Sequence, residues 1–162
     1  IVQHISSSFT LSLAKRLDAS CKISVSEAVD GEPLKPSHAF LAPGGKQMSI
    51  VRRPGQLCIE INDDPPMGRH KPSVDYLFLS AVPVCEKMRV SAAILTGMGS
   101  DGAQGLKLLR DAGAHTIAQD EQTSVVYGMP AVAASLEAAS QILPIQDITE
   151  ALVHSRSYKK VA

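Results

Sequence analysis

The feature that most narrows the possible folds is the alternation in the second half of the chain. Residues 90–96 form an apolar, partly β-branched run. A tight glycine-bearing loop follows at 97–102, then a helical pattern over 103–111 that stops at Gly113. The unit recurs as a short strand at 116–118, a loop at 119–129, a helix at 130–139 opened by Pro130, a strand at 141–143 and a helix at 147–155. Short apolar runs bounded by Gly and Pro read as buried strands, and strands alternating with helices specify a parallel sheet covered on both faces.

The first half is less regular. Ile1-Val2-Gln3 reads as a strand ending at His4, and Phe9, Leu13, Ala14 and Leu17 fall at the spacing of a helix over 10–19. Strands are expected at 24–28, closed by Asp30-Gly31, and at 38–42, stopped by Pro43-Gly44-Gly45. The runs 48–52 and 57–61 flank Pro54-Gly55, a β-hairpin signal. Residues 62–72 make an exposed loop, and Ser73 caps a helix through Val74, Leu77, Phe78 and Ala81 that Pro83 shortens. The expected fold is α/β, a three-layer, mostly parallel doubly wound sheet with a β-hairpin insertion. It is expected as one domain over 1–155 followed by a polar tail over 156–162.

Charge and composition exclude several function classes. Lys+Arg and Asp+Glu are 16 each, so no global field attracts nucleic acid or anionic lipid. Aromatics are 4% with no Trp, too few for a base-stacking surface. No apolar run approaches the roughly 18 to 20 residues of a membrane span, so no membrane insertion is expected, and no secretory leader is visible. Cys21, Cys58 and Cys85 form no Cys-x-x-Cys pair, which argues against a disulfide framework or structural zinc and fits a reducing cytoplasm. Each is expected to be a small buried hydrophobe. The chain opens on a strand-like run with no Met, so the domain is expected to begin upstream of Ile1.

In doubly wound sheets the ligand site lies beyond the carboxyl ends of the strands. That rule selects the loops after Gln3, after Thr96 and after Ala118. At the end of its strand His4 is a candidate general base, or a histidine satisfied by a backbone carbonyl. In the loop Thr96-Gly97-Met98-Gly99-Ser100-Asp101-Gly102, Asp101 either orients a histidine by accepting its ring N–H or caps the helix that begins at Ala103. The same loop also matches a dinucleotide fingerprint, Gly97-x-Gly99-x-x-Gly102, with Asp120 and Glu121 close to the required spacing. Against that reading, the Asp101 carboxylate would repel a pyrophosphate. His70, leading into Ser73-Val74-Asp75, either contacts substrate or finishes its loop. His38, His115 and His154 read as structural or solvated.

Several strings, in order, resemble one family. They are Val2-Gln3-His4, Phe9-Thr10, Ala42-Pro43-Gly44-Gly45, His70-Lys71-Pro72-Ser73-Val74-Asp75, Leu95-Thr96-Gly97-Met98-Gly99-x-Asp101-Gly102-Ala103, Ala118-Gln119-Asp120-Glu121 and Val125-Val126-x-Gly128-Met129-Pro130. Together they are similar to the catalytic domain of the bacterial chemotaxis protein-glutamate methylesterases, from Ile1 to about Leu143. The resemblance implies a cytoplasmic serine hydrolase without cofactor or metal. Its substrates would be γ-glutamyl methyl esters on the cytoplasmic helices of methylated chemoreceptors, with glutamine deamidation as a companion activity. It places the triad histidine on His4 and the triad aspartate on Asp101. Met98 and Gly99 would lie at the oxyanion site or cleft.

The chain departs from the family pattern in three respects. The Gly-x-Ser-Thr-Gly-Gly turn that bears the nucleophile does not occur in it, and the run Ser6-Ser7-Ser8 reads as solvated loop. Ile5-Ser6 and Gln47 replace the usual Met-Pro and a frequent His. Pro83 interrupts a helix that is usually continuous, and the receiver domain that normally regulates the enzyme is absent from these residues. The chain alone is therefore expected not to run the triad mechanism. Two alternatives stay open at this level: a dinucleotide-binding fragment using the 97–102 loop, and a non-catalytic receptor-binding relative.

Overall fold

A computed structural model describes residues 1–153. The chain divides into two compact units, Ile1–Ser80 and a second that begins at Ala81. Both are α/β with parallel strands, and the first also carries the hairpin. The expected tail at 156–162 and the end of the expected last helix lie outside the described residues.

In the first unit, α1 (Ser7–Ser20) packs on β1 (Ser24–Glu27). Strand β1 pairs in parallel with β2 (His38–Leu41), from Ser24 opposite His38 to Glu27 opposite Leu41. Strands β3 (Gln47–Arg53) and β4 (Gln56–Asn62) form the antiparallel hairpin about Pro54-Gly55, with Gly55 at φ 84°. Helix α2 (Val74–Ala81) follows the 63–73 loop, and Ser73 Oγ accepts from Tyr76 N–H at 3.2 Å as the expected cap. Ala28, Phe40, Ala42, Met48 and Ile59 form the core of this unit, with Val2, Ile61 and Leu77 packed against it.

Three local expectations are corrected here. Residues 1–3 do not form a regular strand, because only Ile1 pairs with β2: its carbonyl accepts from Ala42 N–H at 2.9 Å and its amine donates to Phe40 O at 2.6 Å. Ser7 and Ser8 belong to α1 rather than to a loop, and Phe9 is 61% exposed while Thr10 and Ala14 supply the buried face. The inward position at Thr10 is polar because its hydroxyl is used there, donating to the Glu27 carboxylate. Finally, only Cys58 is buried; Cys85 is half-buried and Cys21 exposed.

The second unit starts with a 3-10 turn, Val82–Glu86, in which Pro83 replaces any continuation of α2. Strands β5 (Ser91–Ile94), β6 (His115–Gln119) and β7 (Gln141–Leu143) form a parallel sheet in that order. Central β6 is buried along its whole length, as a strand covered on both faces must be. Helix α3 (Ala103–Asp111) turns Ala103, Gly105, Leu106 and Leu109 inward, helix α4 (Met129–Ser135) has Pro130 in its first turn, and α5 (Ile145–Val153) is the last element among the described residues.

The start of α1 lies close against the turn after β2. A Cβ on Gly44 would stand 2.6 Å from the Ser7 backbone, a separation that no real side chain tolerates. Gly44→Ala is expected to lower stability by about 2 kcal/mol, since backbone has to move on both sides. Urea unfolding of the two proteins checks this, and an unchanged midpoint would refute the close approach.

Candidate active site

His4 occupies a three-residue turn closed by Ile5 N–H to Gln3 O at 2.9 Å, just ahead of α1. Its imidazole is half-buried and lies face to face with that of His70, with ring centroids 4.1 Å apart and planes 16° from parallel. His70 sits at the end of the 63–73 loop, in a tight bridge with Met67: His70 N–H to Met67 O is 3.1 Å and Met67 N–H to His70 O is 3.2 Å.

The loop is held from below by Gln47, the first residue of β3, whose side chain is wholly buried. Its Nε2 donates to Pro65 O at 3.2 Å and to His70 O at 3.3 Å, and its Oε1 accepts from Ser73 N–H at 2.9 Å. One amide thereby bonds three backbone groups of the loop. Further out, Lys71 Nζ donates to Asp63 O and Asp63 Oδ1 at 2.9 and 2.6 Å, and Lys46 lies 3.1 Å from Asp63 Oδ2. The hydrogen bond from Lys71, then that from Lys46, holds the Asp63 carboxyl below the usual carboxylate range. Tyr76 donates to Asp64 at 2.5 Å and accepts from Asn62 at 2.9 Å, and burial pushes its hydroxyl pKa up.

In the second unit a second buried glutamine plays the same part. Gln119, the last residue of β6, is 1% exposed. Its Oε1 accepts from Thr96 N–H at 2.7 Å, and its Nε2 donates to Thr123 O at 2.8 Å. The loop after β5 is laced to the loop after β6 by Gly97 N–H to Val126 O at 3.0 Å, Val126 N–H to Thr96 Oγ1 at 2.9 Å and Met129 N–H to Gly97 O at 2.8 Å. Gly128 makes the approach possible, since a Cβ there would stand 2.6 Å from Gly97 O.

Asp101 is buried within this laced loop, at 7% exposure, whereas Met98 is 79% exposed on the same loop and Gly99 is exposed with φ 90°. The cap position of α3 is Gly102, at φ 90°, so Asp101 does not occupy it and the capping expectation is corrected. The first unit thus brings His4 and His70 together, and the second places Asp101, Met98 and Gly99 on one loop. Ser124 Oγ donates to Asp120 O at 2.6 Å, and Ser6 and Ser8 hydroxyls pair at 3.0 Å. His115 is buried with Nε2 3.1 Å from Gln141, and His38 Nε2 meets Ser26 at 2.8 Å, both structural as expected.

The dinucleotide expectation is also corrected. The Gly97 N–H that would face a pyrophosphate is bonded to Val126 O, and the Asp120 carboxylate is used in its own turn by Thr123 N–H and Oγ1, at 2.9 and 2.6 Å. Residue reading missed Gln47 and Gln119 as supports. For Gln119 the one signal is an amide at the end of a strand otherwise made of buried residues, whereas Gln47 opens a strand whose far end is exposed and gives no such signal.

Two expectations follow. Gln119→Leu strands Thr96 N–H and Thr123 O and should cost about 2 kcal/mol by urea unfolding, with faster amide exchange at Thr96; unchanged exchange at Thr96 would refute the clamp. Asp63 should titrate below the ordinary range in an NMR pH series, and Lys71→Ala should raise its midpoint. Its folded value lies below its unfolded one, so the stabilisation is present above the unfolded value and is lost as pH falls through the folded one. A midpoint unmoved by Lys71→Ala would contradict this.

Comparison with known proteins adds context to this geometry. The family model described as CheB methylesterase matches residues 1–152. A protein-glutamate methylesterase/protein-glutamine glutaminase of Shewanella denitrificans is 51% identical over 94% of this chain, and one of Vibrio vulnificus is 49% identical over 94%. The chain covers 43% and 44% of those relatives, so it spans less than half their length. The crystal structure of the Thermotoga maritima CheB methylesterase catalytic domain superposes with a TM-score of 0.90 at 35% identity, over 95% of this chain and 81% of that one.

Proposed function

Because the chain belongs to the CheB methylesterase family, we propose that it serves as the His- and Asp-bearing part of a protein-glutamate methylesterase that acts by a Ser-His-Asp mechanism. Its substrates are γ-glutamyl methyl esters on the cytoplasmic helices of chemoreceptors. The double name of the relatives supports glutamine deamidation as a second reaction. The observation that carries the reading is the family match over residues 1–152. The pinning of both the His70 and Asp101 loops by buried amides supports it, since catalytic groups have to be held still.

The chemistry follows from the side chains. A serine hydroxyl attacks only when a base removes its proton, and His4 is that base. Asp101 accepts the ring N–H of His4, fixes the tautomer and stabilises the imidazolium that forms. Attack on the ester carbonyl gives a tetrahedral oxyanion, for which backbone N–H groups of Met98 and Gly99 are the donors in this proposal. His4 returns the proton to the methoxide leaving group and methanol departs. Water, deprotonated by His4, then hydrolyses the acyl-serine to free glutamate and regenerates the hydroxyl.

In this reading the serine is not among the residues described. Ser124 and the Ser6–Ser8 pair are committed to local bonds, and the family's Gly-x-Ser-Thr-Gly-Gly turn does not occur in the 162 residues. The proposal therefore assigns the nucleophile to a segment outside them. It likewise assigns regulation to a receiver domain, which is consistent with relatives more than twice as long. Among the described residues no helix is long and apolar enough to cross a membrane. The reaction is assigned to the cytoplasm, where receptor helices are reached.

Methanol release from methylated chemoreceptor tests the reading. In the natural protein that carries these residues, His4→Ala and Asp101→Asn should each lower the rate by about 10⁴-fold, as loss of a triad member does. The 162 residues alone should release none above background. Full activity in the His4→Ala protein would overturn the assignment.

A further inference from the structure

We propose that His70 is a positioning residue for His4, a flat plate that sets the plane of the base. The inference rests on the reading of His4 as the general base. It begins from the stacked pair, whose ring centroids are 4.1 Å apart with planes 16° from parallel.

An imidazole that donates one ring N–H to a carboxylate is fixed in direction, yet it can still roll about that hydrogen bond. Rolling swings the opposite nitrogen away from the hydroxyl it must deprotonate. A second ring laid parallel on its face stops the roll, because tilting opens a gap on one side and a clash on the other. Stacking is suited to the task since it restrains orientation without consuming a ring nitrogen.

A plate works only if it is itself held. The His70 backbone is fixed on both polar atoms: its N–H donates to Met67 O, and its carbonyl accepts from Met67 N–H and from buried Gln47 Nε2. The same Gln47 amide holds Pro65 O and Ser73 N–H on either side, and Gly45 N–H donates to Lys71 O at 3.1 Å. A continuous line of contacts therefore runs from the floor of β3 through Gln47 and the His70 backbone to the His70 ring and onto His4. This gives the buried amide at position 47 a role in aiming the base, where the sequence alone suggested only an altered cleft wall.

The test is steady-state hydrolysis of methylated receptor by the natural protein with wild-type, His70→Ala, His70→Phe and His4→Ala sequences. His70→Ala should lower kcat about tenfold with KM within about twofold, because orientation rather than binding is lost. His70→Phe keeps a flat ring and should restore kcat to within about twofold of wild type. In the 162-residue chain, the His4 ring proton resonances should lose their stacking shift in His70→Ala and keep it in His70→Phe. Unchanged kcat in His70→Ala, or failure of Phe to rescue, overturns the positioning role while leaving the esterase reading standing. Retained activity in His4→Ala overturns the esterase reading itself, whatever His70 does.

Discussion

The structure depends on the satisfaction of loop backbone where strands end. A strand hands its polar groups to its neighbours along its length, but the loop beside it has no ladder to join. In each unit one wholly or almost wholly buried glutamine fills that role, Gln47 at the start of β3 and Gln119 at the end of β6. Each spends both ends of its amide on loop groups: Pro65, His70 and Ser73 in the first unit, Thr96 and Thr123 in the second. A glutamine buried without such partners would cost several kcal/mol, so the loops and the amides fix one another.

Glycine completes what the amides begin. Gly44 lets the turn after β2 touch the start of α1, and Gly128 lets the loop after β6 lie against Gly97 and Met98. Both contacts bring backbone to backbone at distances that leave no room for a Cβ. The loops that carry His70 and Asp101 are thus tied to buried amides and, for the second, to neighbouring backbone.

Much of this was legible in the residues, and the failures have physical causes. The β3–β4 hairpin, α3, β6 and the Ser73 cap follow from local periodicity and turn chemistry, and were read close to their observed bounds. The opening strand was misread because an apolar run predicts burial but not a pairing partner, and only Ile1 joins β2. Phe9 falls at helical spacing and lies in α1, yet it stands outward, while Thr10 is buried and bonds Glu27. The choice between cap and orienter at Asp101 cannot be made locally, since both uses favour the same residue beside a helix start; in the structure Gly102 occupies the cap position. The stacking of His4 on His70 joins residues far apart in sequence, and no local pattern encodes such a contact. Gln47 and Gln119 were missed because an amide at a strand end ordinarily signals solvent.

The central proposal is that Asp101 holds His4 as the base. The most direct measurement is ¹⁵N-resolved NMR of the imidazole ring protons in the 162-residue chain, with and without Asp101→Ala. The account predicts a strongly downfield, slowly exchanging Nδ1–H signal from His4 that disappears in the variant. A His4 ring whose tautomer and proton shift are the same with and without the Asp101 carboxylate would contradict it.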